Sequence, residues 1–122
     1  MPISAAESRI MEALWRRSPL TAEEIIAEVA APQGWSEATV KSLINRLLTK
    51  RAIEAEKAGR RYLYRPRADR RTYLSQESQG LLDRLFGGRI APLVSHFQET
   101  NQLSPQDIAE LKRLIAELDD DH

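Results

Sequence analysis

Between residues 51 and 66 the hydrophobic period of the chain changes from that of a helix to that of a strand. Upstream, Val40, Leu43, Ile44 and Leu47 step by three and four, the spacing that lines one side of an α-helix. Downstream, Ile53 and Ala55 alternate with Glu54 and Glu56. After Lys57-Ala58-Gly59-Arg60 the run Arg61-Tyr62-Leu63-Tyr64-Arg65 returns, and Pro66 ends it. Two short period-two runs joined through a glycine predict a β-hairpin with its turn at 57–60, and proline closes a strand because it cannot donate to the ladder.

Three helices precede the hairpin. Ser4 with Glu7, and Thr21 with Glu24, have the spacing of capping boxes and predict two helix starts. Ile10, Met11, Leu14 and Trp15 give the first helix an apolar side; Ile25, Ile26 and Val29 do so for the second. Ser18-Pro19 stops the first helix, and Ala31-Pro32-Gln33-Gly34 is expected to break the second. Ser36 caps a third, running to about Lys50. Beyond the hairpin the chain reads as helical throughout. One helix runs from about Asp69 to Phe86 and closes on Gly87-Gly88; another runs from about Arg89 to Asn101, with Pro92 tolerated in its first turn. A last begins at Ser104-Pro105, with Asp119-Asp120-Asp121 read as a solvated tail.

Charge is distributed in the same order. The chain is neutral, with 18 Lys/Arg against 18 Asp/Glu. Residues 41–67 nevertheless hold 9 Lys/Arg against 2 Asp/Glu, a net of +7, whereas residues 69–122 hold 6 against 10. A basic stretch confined to the third helix and the hairpin points to a polyanion there. Two solvated surfaces of opposite sign remain the alternative on charge alone.

The third helix has the chemistry to read DNA. Its polar side carries Glu37, Lys41, Ser42, Asn45 and Thr49. In a major groove lysine donates to guanine, asparagine bonds adenine bidentately, and serine serves either. The Thr39 methyl can meet a thymine methyl, although that side turns partly toward the core. Ser36 and the first backbone donors suit a phosphate. Arg46 and Lys50 on the flank, with Lys57, Arg60 and Arg61 on the hairpin beside Tyr62, complete the candidate surface. Helix, helix, helix and basic hairpin in this order make a winged helix-turn-helix, with recognition helix 36–50 and wing 53–65. Each part has a plainer reading: a polar helix face is usually solvated, tyrosines in strands pack, and a basic hairpin protects an edge. A winged-helix module that docks a protein without reading DNA is therefore the alternative.

Other classes fit less well. A glycine-rich phosphate loop is missing from the sequence, as is any nucleophile with an evident base, so an enzyme subunit or adaptor is a distant third reading. Cysteine is absent, and His96 and His122 are the only histidines, too few for a metal site of three or four ligands; no cofactor is expected. No apolar run approaches a membrane span or a signal peptide, which predicts a cytoplasmic protein not inserted in the membrane.

The C-terminal helices have apolar surface to spare. Leu81, Leu82, Leu85, Phe86, Ile90, Leu93, Val94, Phe97, Leu111, Ile115 and Leu118 lie on several sides of three short helices. So small a unit buries too little surface to be stable alone. The sequence thus predicts a mainly α chain: a winged-helix DNA-binding domain over 1–68 and a helical dimerisation region over 69–122. The alternative is that these helices fold back on the N-terminal domain as one monomeric core.

The runs Leu14-Trp15, Ser18 to Ile26 and Trp35 to Leu47, then Gly59 to Pro66 and Leu82 to Gly88, resemble the BlaI/MecI/CopY repressor family along almost the whole chain. The resemblance implies a winged-helix homodimer that blocks transcription from double-stranded operators with TACA and TGTA half-sites. In the penicillinase branch it also implies a membrane-bound sensor-protease as partner, and a cut in the dimerisation helices. The Asn-Phe pair cut in that branch aligns here with His96-Phe97, where histidine replaces the asparagine. The copper branch uses a C-terminal cysteine cluster that this chain lacks.

Overall fold

The computed structural model describes residues 2–120. The elements run in the order α1 (Ala5–Arg16), α2 (Ala22–Gln33), α3 (Glu37–Thr49), β1 (Ile53–Ala58), β2 (Arg61–Pro66), α4 (Arg70–Leu85), α5 (Ile90–Glu99) and α6 (Pro105–Asp120). They divide into two compact units, one ending at Glu77 and the other beginning at Ser78.

The first unit owes its helix starts to local side chains. Ser4 and Glu7 close the capping box of α1, and Thr21 and Glu24 that of α2, each satisfying two backbone donors that a helix start would orphan. Ser36 accepts from the Thr39 N–H at 3.1 Å to start α3. The break expected around Pro32 falls at its far edge, because α2 runs through Pro32 to Gln33. A proline in the last turn forfeits one helical hydrogen bond and then meets the helix end. Gly34 supplies that end with φ +70°, a left-handed cap, after which the Trp35 N–H returns to the Ala30 carbonyl at 2.9 Å.

The apolar faces of these helices close one core. Ile10, Met11 and Leu14 from α1, Ile25 and Val29 from α2, and Val40, Leu43, Ile44 and Leu47 from α3 are all buried, with Leu20 and Ile53 beside them. The hairpin lies on this core through Ile53 and Tyr64. Its turn is tighter than the sequence suggests, since Lys57 and Ala58 pair with Tyr62 and Arg61 and only Gly59-Arg60 remains as loop. Gly59 has φ +64° and Arg60 does not take positive φ, as a two-residue II′ turn requires. Leu20 adds a one-residue third strand: it exchanges both backbone hydrogen bonds with Tyr64, at 3.0 and 2.8 Å.

The start of α4 belongs to the same unit and is tied to α1. Arg70 pairs with Glu12 at 3.2 Å, the Trp15 indole donates to the Ala68 carbonyl at 3.0 Å, and the Trp15 and Tyr73 rings lie 5.3 Å apart.

The second unit is built differently. Past the end of α4 Gly87 and Gly88 take φ +59° and +77°, past the end of α5 Asn101 takes φ +59°, and Ser104 and Asp107 cap α6 reciprocally. The last helix reaches Asp120, so Asp119 and Asp120 are helical; Asp121 and His122 lie outside the described residues. No residue of α5 or α6, nor of α4, is buried.

Candidate nucleic-acid interface

Helix α3 is amphipathic in a way that leaves one side open. Its stripe Val40, Leu43, Ile44 and Leu47 is buried, which turns Lys41, Ser42, Asn45, Arg46 and Thr49 to the outside. Among the described residues, the side chains of Lys41, Ser42, Asn45 and Arg46 make no hydrogen bond or ion pair. Two shallow depressions of about 300 and 340 Å³ flank this side, and both are lined by Ser42 and Arg46. At the helix start Ser36 is exposed. Its hydroxyl serves the Thr39 N–H and lies 3.0 Å from the Thr39 hydroxyl. Thr39 is exposed, not turned toward the core.

The wing places its polar groups by register. Paired residues of an antiparallel ladder share a face, so Ile53, Ala55 and Lys57 lie with Pro66, Tyr64 and Tyr62. The base of this face meets the core. Its tip carries Lys57 and the half-exposed Tyr62, with Arg60 in the turn and Arg61 alongside. Lys57, Arg60 and Arg61 have no carboxylate partner among the described residues, whereas Arg65, further down the strand, is paired with Glu56 at 2.9 Å. Tyr64 is packed near Leu20; burial, then Tyr62 and the charge of Glu23, pushes its phenol above the ordinary value, so it stays neutral.

Lys50 is placed otherwise than the sequence leads one to expect. Its ammonium turns inward, donating to Glu7 Oε1 at 2.7 Å and to the Pro2 carbonyl at 3.2 Å, and its side chain is 22% exposed. Glu7 is buried. Burial alone would raise its pKa, but hydrogen bonds from Lys50 and Ser4, with the lysine's charge, outweigh it and hold the carboxyl below its ordinary value. Among the described residues, Lys50 is thus the one cation of the candidate set with an internal partner. Two residues separated by 43 positions meet here, and no local pattern announces such a pair.

The candidate pairing residues lie in the second unit. Leu85, Ile90, Ile115 and Leu118 are more than half exposed, and Leu81, Leu82, Phe86, Leu93, Val94, Phe97 and Leu111 are half-buried. An apolar groove of about 270 Å³ runs between α5 and α6, lined by Ile90, Leu93, Val94, Phe97, Leu111 and Leu114 among others. His96 is exposed on α5, its ring 6.4 Å from Phe86 and 6.0 Å from Phe97. No group of three metal-ligating side chains occurs among the described residues, and no helix is long and apolar enough to cross a membrane.

The family model described as "Penicillinase repressor" matches residues 3–117. The chain belongs to that family. A penicillinase repressor from Bacillus licheniformis is 33% identical over 94% of this chain and 90% of its own length. The methicillin resistance regulatory protein MecI of Staphylococcus aureus is 28% identical over 93% and 92%. Among solved structures, the monomeric form of Bacillus licheniformis BlaI in complex with the blaP half-operator is similar with a TM-score of 0.52 and 33% identity. That likeness covers 57% of this chain and 85% of that one. The penicillinase repressor family is one of transcriptional repressors, not enzymes, and its winged helix is the fold described above.

Proposed function

We propose that this chain is a homodimeric transcriptional repressor that binds palindromic operators with TACA and TGTA half-sites. Residues 1–68 read the DNA and residues 69–122 pair the subunits. The observation that carries this reading is the outward side of α3. A helix held by one apolar stripe presents Lys41, Ser42, Asn45 and Arg46 with their side chains making no hydrogen bond or ion pair among the described residues. In a major groove Asn45 bonds adenine, Lys41 guanine, and Ser42 either; Ser36 and Thr39 with the first backbone donors take a phosphate. Lys57, Arg60, Arg61 and Tyr62 of the wing lie along the backbone or the minor groove. A relative whose structure was solved on a half-operator supports the same docking.

Pairing is argued from the second unit, where no helix has a buried residue. A two-fold partner covering the exposed leucines and isoleucines stabilises those helices and sets two winged helices on one palindrome. The repressor works in the cytoplasm and lets go when an inducing signal arrives. By family likeness that signal is β-lactam or cell-wall stress, relayed by a membrane-bound sensor-protease that cuts near His96-Phe97.

The test is a titration of a labelled TACA/TGTA palindrome against a random duplex at several salt concentrations. With Lys41 on guanine, the four cations that have no carboxylate partner among the described residues (Arg46, Lys57, Arg60 and Arg61) give an expected slope of log affinity on log salt of about −3.6 per subunit if all engage phosphate. Absence of saturable, salt-sensitive binding leaves a protein-docking module as the better reading.

A further inference from the structure

Reading bases with Asn45 needs α3 held to within about 0.5 Å and 10–20°. The contacts that hold its length, through Val40, Leu43, Ile44 and Leu47, are apolar. Such contacts are strong but non-directional, and they tolerate small rotations about the helix axis. At the C-terminal end of α3 stands a directional contact instead. Lys50 is the C-cap residue, its N–H bonded to the Arg46 and Leu48 carbonyls, and its ammonium reaches Glu7 Oε1 at 2.7 Å.

That carboxylate is itself fixed. Oε1 also accepts the Ser4 N–H at 3.2 Å, while the Glu7 N–H donates to the Ser4 hydroxyl, so the anion sits rigidly in the first turn of α1. Glu7 is 1% exposed, and its second oxygen is buried without a partner among the described residues. Salt screens so enclosed a pair little, and an unpaired carboxylate there is strongly disfavoured. The same ammonium also holds the Pro2 carbonyl.

From this geometry we propose that Glu7 and Lys50 are a positioning pair for the recognition helix, and that Lys50 carries no phosphate. The pair fixes the rotation of α3 about its axis and so the aim of Asn45. It therefore acts on discrimination between sequences, while general affinity for DNA rests on the unpaired cations. This rests on the DNA-reading role proposed above.

The experiment titrates the full chain and its Lys50→Met, Glu7→Gln and Arg46→Met variants on the palindrome and on a random duplex, over a salt series. The folded fraction is measured by circular dichroism in the same buffer. The unsubstituted chain is read first: failure to prefer the palindrome overturns the DNA-reading role and this proposal with it. Given that preference, Lys50→Met should lower palindrome affinity about tenfold, the value of one lost base-reading contact, with random-duplex affinity and salt slope unchanged. Glu7→Gln keeps the size of the side chain and should fold where Lys50→Met does not; it should lower the same ratio by about threefold, a partial loss of that contact. Arg46→Met should weaken both duplexes and flatten the slope by about 0.9 per subunit, so by about 1.8 for the pair on the palindrome. A flattening of that size in Lys50→Met would make Lys50 a phosphate ligand and overturn the proposal. So would unchanged discrimination in the folded fraction of both pair variants, which would leave the pair a matter of stability alone.

Discussion

The two units of this chain put similar fractions of their residues into secondary structure, for opposite ends. In the first, three helices and a hairpin turn their apolar faces inward until Ile10, Leu14, Ile25, Val40 and Leu47 are wholly or almost wholly buried. In the second, the helices leave Leu85, Ile90, Ile115 and Leu118 more than half exposed. Burying such a side chain stabilises by about 1.5–3 kcal/mol, so the first unit draws its stability from its own chain and the second has left that gain to be made elsewhere. A closed core suits a surface that must present Asn45 and Ser42 in fixed geometry. An open one suits a unit proposed to pair with another copy of itself.

The contrast breaks first if the core is less closed than it looks. Leu14→Ala should cost about 3 kcal/mol in denaturant unfolding, independent of protein concentration, since a fully buried leucine leaves a cavity behind. A loss under about 1 kcal/mol would mean that the site collapses freely and the core is loosely packed. The second unit should respond in the reverse manner. Ile115→Ala with Leu118→Ala should weaken self-association by about 2 kcal/mol or more in sedimentation, with the unfolding of the first unit unmoved. If that double variant associates normally, the exposed stripe of α6 is not the pairing surface.

Most of the first unit was legible because its signals are local. Ser4 with Glu7, Thr21 with Glu24, Ser36 and the glycine of the wing each state their role within four residues. The burial of α1, α2 and α3 is written in their period. Three things were not legible, and each depends on distance along the chain or on a competition. Glu7 could be read as a capping residue, but its bond to Lys50 depends on how α1 crosses the end of α3. Leu20 forms a strand of one residue, too short to show a period, and only Tyr64 opposite makes it one. Pro32 reads as a breaker, yet in a last turn it costs one bond, which Gly34 and Trp35 offset by returning to the Ala30 and Ala31 carbonyls. For the candidate site, residue types and the exposed face were readable. The inward turn of Lys50 was not, because a lysine at a helix end looks the same whether its partner is a phosphate or a buried glutamate.

A finer difference between the units is that one should touch DNA and the other should only multiply the contact. Asn45→Ala tests the first part: it should cost about 1–3 kcal/mol on the palindrome and relax discrimination, through loss of a bidentate contact to adenine. The loss should be the same per half-site whether or not the subunits are paired.

Arg60→Ala is the smallest effect and the most discriminating. Arg60 sits in the two-residue turn of the wing, exposed, with no carboxylate partner among the described residues, so its removal disturbs no packing. If it neutralises one phosphate, palindrome and random duplex should weaken about equally, and the salt slope should flatten by about 0.9 per subunit. In the paired chain the flattening should be about 1.8, because two wings lie on the DNA; with Ile115→Ala and Leu118→Ala added it should fall back to about 0.9. That halving is expected only if the wing binds and the C-terminal helices pair. A loss confined to the palindrome would instead show that the wing reads sequence, and an undivided slope change in the unpaired variant would show that pairing does not run through α6.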